Sequence, residues 1–156
     1  MAKPPKPRWF IDADTLGLAH ALVRARNDVT YVGDDGKRHN KRWEMDPCVI
    51  QDTATPDHVW IPEVTKHGLI ILTRDRHIQT RTAEKDQVLV SRAKMFAITS
   101  KETLDIWGML EVVATQWREM ERKAQEPGPF IYSVTRSGVA EVDLTLPASV
   151  SARPRE

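Results

Sequence analysis

The chain has 156 residues, 40% of them hydrophobic and 29% charged, with a formal net charge of +1. That length suits one hydrophobic core; the near-balance of charge excludes a strongly basic nucleic-acid-coating protein, and no apolar run approaches the ~20 residues of a bilayer span. The opening MAKPPKPR lacks the apolar centre of a secretory signal and the lone Cys48 has no internal disulfide partner, so a cytoplasmic protein without membrane association is expected.

Residues 1–7 and 147–156 are polar and proline-rich, which predicts flexible ends on either side of a single domain over 8–146. RWFIDA predicts a short strand closing at Asp12, and TLGLAHALVRARN a helix with Leu18, Leu22 and Ala25 on one stripe, flanked by Ala19 and Val23. VTYVG predicts a second strand, closed by the turn cluster GDDG. Gly33 to Ala54 has no sustained period and is long for a connection, which marks a functional loop or a small helix.

TPDHVWIPEVTKHG then carries a helix start, with Thr55 as cap, Pro56 at the first helical position and Asp57 in the first turn, where the helix dipole favours a carboxylate. Gly68 is its natural stop, and Pro62 predicts a kink or two short pieces. LIILTRD is apolar enough for a strand buried on both faces and ends at Asp75. After a helical turn around RHIQTRTA, KMFAITS predicts another strand. A long helix follows from Ser100, with Glu102 and Thr103 in its first turn and Ile106, Leu110, Val113, Trp117 and Met120 on one face. Ala140, Val142, Leu144 and Leu146 alternate with polar residues after the turn RSG, which predicts a terminal antiparallel hairpin. Strands alternating with helices predict an α/β fold with a mainly parallel sheet covered on both faces.

In such sheets ligands bind beyond the carboxyl ends of the strands. Asp12 and Asp75 each close a predicted strand there, and Asp57 opens a helix that can reach the same rim. Clustered carboxylates raise one another's pKa unless a cation neutralises them, and an all-oxygen donor set selects Mg²⁺ or Mn²⁺. That is equipment for phosphodiester cleavage, with Arg74, Arg76, His77 and Arg81 beside Asp75 to hold a nucleic-acid backbone. Asp14, just before an apolar-periodic stretch, reads chiefly as a helix cap with a secondary claim as a ligand, whereas Asp12 has no evident structural role at the end of a buried strand.

WFIDADTLG resembles the opening motif of PIN-domain nucleases, a strand ending in Asp with a small polar residue two positions on, and TPDHVWIPEVTKHGLIILTRDRHI is similar to their closing motif. The resemblance covers roughly residues 8–82 and is nearest to short PIN-like proteins and VapC-type toxins. It implies a PIN-like three-layer α/β/α fold, here carrying an additional C-terminal long helix and β-hairpin. It also implies an Mg²⁺- or Mn²⁺-dependent ribonuclease, the toxin of a type II toxin–antitoxin pair, partnered by an antitoxin and forming homodimers. Asp12, Asp57 and Asp75 take the metal-binding roles. The family's fourth acidic residue has no clear match, and Asp14, Glu44, Asp46 and Asp52 are the candidates.

Two other functions compete. A haloacid-dehalogenase-type phosphatase would use Asp12 as nucleophile and Asp14 as acid/base, but DADTL lacks the residue between the second Asp and Thr, and no paired late aspartates follow LIILT. A PIN-like module without the fourth carboxylate would bind rather than cleave. His20, His39, His58, His67 and His77 have no metal-binding spacing and read as surface residues, with His58 and His77 also candidates for phosphate contacts. KRHNKRWE, Lys37 to Glu44, is either a solvated loop or a grip on single-stranded RNA by charge and stacking. Gly108 either permits close packing against a neighbouring chain or is an ordinary internal glycine.

Overall fold

Each apolar run read as a strand forms one. The computed structural model describes residues 7–38, 44–75, 77–78, 81–102 and 104–144. Strands β1 (Trp9–Ile11), β2 (Val29–Tyr31), β3 (Ile70–Arg74), β4 (Lys94–Ile98), β5 (Phe130–Thr135) and β6 (Gly138–Val142) make one sheet in the order β2-β1-β3-β4-β5-β6. All neighbours pair parallel except β5 and β6.

The pleat sends alternate residues to opposite faces. Trp9, Ile11, Leu72, Phe96, Ile98 and Tyr132 pack with helices α1 (Leu16–Ala25) and α4 (Ile106–Ala124), whereas Phe10, Ile71, Met95 and Ile131 pack with α2 (Asp57–Lys66) and α3 (Thr82–Ser91). The result is the expected three-layer α/β/α arrangement around a mainly parallel sheet. The terminal hairpin is part of it, because β5 lies parallel to β4 before the chain turns back as β6. No helix among the described residues is long and apolar enough to cross a membrane.

Several local expectations change. In α1 the buried stripe is Leu18, Ala19 and Leu22; the helix ends at Ala25, which is exposed. The residue before α2 is Pro56, not Thr55, whose hydroxyl instead donates to the Asp52 carbonyl at 2.6 Å. That helix runs unbroken through Pro62, since the carbonyl deprived of a partner belongs to His58 on the exposed side. A whole helix, α3, follows the helical turn expected around RHIQTRTA, in residues to which no element was assigned.

The long helix begins six residues later than Ser100, at Ile106, where Asp105 caps it by accepting from the Gly108 N–H at 2.8 Å. Its buried face is Met109, Val112, Val113, Met120 and Ala124, with Leu110 and Trp117 at the margin and Ile106 half exposed. Gly108 packs within its own chain: a Cβ there would lie 3.1 Å from the Leu104 side chain. In the hairpin Val142 is buried but Ala140 is exposed, and Leu146 lies outside the described residues.

The long connection after β2 contains neither helix nor strand among its described residues; His39 to Trp43 of KRHNKRWE lie outside them. It is organised by a buried ion pair. The fully buried Asp34 carboxylate accepts from Thr30 Oγ1, from the Gly36 N–H and from both terminal nitrogens of Arg38 at 2.9 Å each. Gly36 has φ of 88°, and a Cβ there would strike the Met45 carbonyl. Removing one partner of such a pair leaves an uncompensated buried charge, so Asp34→Ala is expected to lower stability by about 3–5 kcal/mol in urea denaturation.

Candidate active site

The sheet order reverses direction between β1 and β3, which opens a crevice at their carboxyl ends. The Asp12 N–H donates to the Leu72 carbonyl at 3.2 Å, carrying the β1–β3 ladder one step past the strand and fixing Asp12 at the rim. A 3-10 turn, Ala13–Thr15, follows, and Asp12 Oδ1 accepts from the Ala13 N–H at 2.6 Å. Asp12 therefore has a structural role that its sequence position did not suggest. Asp14 is not the cap of α1: it sits inside the turn, and Thr15, the residue before α1, makes no side-chain capping bond.

Thr73, buried on β3, donates through Oγ1 to Asp12 Oδ2 at 3.1 Å and lies 3.4 and 3.5 Å from the two Asp14 oxygens. One hydroxyl proton thus faces two carboxylates. Asp57 enters from the start of α2, its Oδ1 held at 2.9 Å by the indole N–H of Trp60, which packs on Phe10. After β3, Asp75 accepts from the His77 backbone N–H at 2.9 Å in an Asx turn and pairs with the half-exposed Arg81 at 3.1 Å. Glu84, in the first turn of α3, hydrogen-bonds Asp75. These groups line one cleft of about 360 Å³ with Arg74 and His77.

Of the residues expected at the site, Asp12, Asp14, Asp57, Asp75, Arg74, His77 and Arg81 line this cleft, and Arg76 lies outside the described residues. The Arg74 guanidinium is engaged elsewhere, donating to the carbonyls of Leu104 and Glu102 at 3.0 and 3.2 Å; it is the Arg74 backbone N–H that faces Asp14. Glu44, Asp46 and Asp52 are exposed on the connection after β2 and do not line the cleft. Glu84 does, and sequence reasoning missed it because no helix was read there. The described histidines are exposed, as expected.

The electrostatics follow from crowding. Burial, reinforced by the Asp57 charge and opposed by the Ala13 and Thr73 hydrogen bonds, raises the Asp12 pKa above the usual carboxylate range. Burial and the Asp12 charge push Asp14 up to about 7, although part of its side chain reaches solvent. Burial with the charges of Asp57 and Asp75 pushes Glu84 up to about 8, so its bond to Asp75 is that of a carboxylic acid to a carboxylate. An all-carboxylate donor set under this repulsion has the chemistry that a hard divalent cation relieves. As placed, no three His, Cys, Asp or Glu side chains among the described residues close into a coordination shell.

Comparison with known proteins agrees with this fold. A family model described as PIN like domain matches residues 7–100, from β1 through β4. A Mycobacterium tuberculosis protein named "Putative ribonuclease VapC45" is 30% identical over 96 residues, 59% of this chain and 66% of that protein. The matched chain therefore spans just under two thirds of that relative's length. No solved structure matches.

For Asp14 and Glu84 the folded pKa lies above the unfolded value, so the folded state retains protons that the unfolded state loses, and stability falls as pH rises from about 4 to about 8. In EDTA, the melting temperature is expected to be lower at pH 8 than at pH 5, and Asp14→Asn to narrow the difference; thermal denaturation at the two pH values checks this.

Proposed function

We propose, because this chain belongs to the PIN-like domain family, that it is an Mg²⁺- or Mn²⁺-dependent endoribonuclease and the toxin of a type II toxin–antitoxin pair. The observation that carries the reading is the gathering of Asp12, Asp14, Asp57, Asp75 and Glu84 in one cleft at the β1–β3 crevice. Asp12, Asp57 and Asp75 are the metal ligands, and Asp14 and Glu84 compete for the fourth acidic position. RNA is the substrate, and an antitoxin and a second copy of the chain are the protein partners, in the cytoplasm. The family match favours this reading over the phosphatase, and the two extra carboxylates favour it over a module that binds without cleaving.

A bound divalent cation supplies activation of water and neutralisation of the charge that develops on phosphorus. The chain supplies position. Thr73 ties Asp12 to the end of β3, and Trp60 holds one oxygen of the Asp57 carboxylate at the edge of the cleft. The first turns of α2 and α3 carry Asp57 and Glu84 into the cleft, and the partial positive charge of these helix ends favours a phosphate there. Arg81 and His77 line the open side, where a backbone phosphate approaches.

Asp12→Asn and Asp75→Asn are each expected to reduce RNA cleavage in Mg²⁺ to background and to relieve growth arrest on expression; unaltered cleavage by both variants would sink the reading. Trp60→Phe keeps the ring on Phe10 and removes only the donor to Asp57. It is expected to weaken Mn²⁺ binding about 10- to 100-fold in titration calorimetry, with the fold retained by circular dichroism.

A further inference from the structure

A second pocket, of about 190 Å³, lies at the β2 edge of the sheet against α1 and is lined by His20, Val23, Arg24, Tyr31, Lys37 and Arg38. Its polar lining is cationic or neutral, with no carboxylate. The nearest acidic groups are engaged: Asp34 with Arg38, and Asp35 with the Lys37 backbone N–H. Arg24 and Lys37 are exposed, and their charged ends have no hydrogen-bond or ion-pair partner among the described residues. Arg38 is the built part. Its side chain is 5% exposed and its terminal nitrogens bind Asp34 and the Val29 carbonyl, yet its buried Nε has no partner among the described residues. A buried, unpartnered guanidinium donor is costly and points to an acceptor.

The pocket flanks the strand next to β1, and Tyr31 brings its upper end to the carboxyl end of the sheet. Tyr31 pairs in register with Ile11, the residue before Asp12, so it stands one strand spacing, about 4.8 Å, from the strand that delivers the proposed metal ligand. His20 meets the Tyr31 ring edge-on at 5.0 Å, forming an aromatic wall beside the cations. Cations with an aromatic wall suit a sugar–phosphate backbone better than an isolated anion.

The geometry points to a binding pocket for an RNA backbone phosphate, formed by Arg24, Lys37 and Arg38 beside the His20–Tyr31 ring pair, that holds the strand while another phosphate enters the acidic cleft. This rests on the nuclease reading, and its test separates the two. Fluorescein-labelled single-stranded RNA is titrated in EDTA over a series of salt concentrations with the wild-type chain, Arg24→Gln/Lys37→Gln and Arg24→Lys/Lys37→Arg. Cleavage in Mn²⁺ is followed in parallel on the long RNA and on a dinucleotide too short to reach the pocket.

The neutral double variant is expected to bind RNA about tenfold more weakly at low salt and to lose about 1.4 from the log–log salt slope, two contacts at about 0.7 each. Long-RNA cleavage falls with it, dinucleotide cleavage does not change, and the charge-conserving variant keeps the wild-type slope. An unchanged slope in the neutral variant, or an equal loss in the charge-conserving one, overturns the pocket while leaving the nuclease standing. Wild-type cleavage without RNA binding in EDTA does the same. Poly-L-glutamate binding as tightly as RNA, and lost equally in the neutral variant, reassigns the pocket to an acidic protein and overturns it too. Wild-type protein that neither binds nor cleaves RNA overturns the nuclease reading beneath it.

Discussion

The parallel pairing of β1 with β3 is the constraint on which the rest of the site depends. It places Trp9, Phe10 and Ile11 opposite Ile70, Ile71 and Leu72, and the next bond, from the Asp12 N–H to Leu72, sets where the carboxylate leaves the sheet. Thr73 then lies beside Asp12 on the face shared with Phe10 and Ile71. A slip of one residue would send every side chain of one strand to the opposite layer, exchanging Phe10 for Trp9 and aiming Asp12 at α1. The two apolar layers forbid that slip, so the core fixes the register and the register fixes the site.

The same arrangement makes the site a burden on the fold. Raised pKa values at Asp12, Asp14 and Glu84 mean that the folded chain holds these groups against their tendency to ionise. Among the described residues that line the cleft, the Arg81 guanidinium pairs with Asp75 and the Arg74 guanidinium is tied to the loop before α4, so no lysine or arginine there brings a free charged end. A sequence selected only for stability would place an Asn or a Lys here. Violation of local consistency at one spot, supported by well-packed layers above and below, is the pattern of a functional site. Trp60 shows how closely the two demands are joined, because one side chain fills the α2 layer against Phe10 and also orients Asp57.

The strands, with Asp12 and Asp75 at the ends of two of them, were legible in the sequence for one reason, and Asp57 for another, its place after a proline in the first turn of a helix. Buried parallel strands are continuous apolar runs, and an Asp at the end of such a run stands out. Thr55, Asp14 and Glu84 were misread because their roles depend on turn geometry. Asp12 caps a 3-10 turn that no residue pattern announces, and Asp14 lies inside that turn rather than capping α1. Helix α3 buries little besides Lys85 and Val88, so it has no apolar stripe to reveal it, and its Glu84 went unseen with it. The start of α4 was placed too early because Ser100 and Glu102 imitate a capping pattern, whereas Arg74 holds that segment out of the helix. Contacts made across 28 or 30 residues are invisible to a reading by local period.

If the substrate is the proposed RNA, an acidic cleft and a polyanion pose an electrostatic problem that the near-neutral chain cannot solve by long-range steering. Attraction must be local and must act where the strand passes, not where it is cut. The cleft offers helix ends and Arg81, but these are matched against five carboxylates and turn favourable only with a divalent cation in place. On the β2 edge the signs are reversed: Asp34 holds Arg38 while Arg24 and Lys37 keep free charges. Separating the cations from the carboxylates in this way prevents them from neutralising each other as internal salt bridges. Were Arg24 or Lys37 inside the cleft, each would pair with an aspartate and compete with the proposed cation. Kept on the far side of β1, they are placed to hold the proposed backbone without competing for the carboxylates of the cleft.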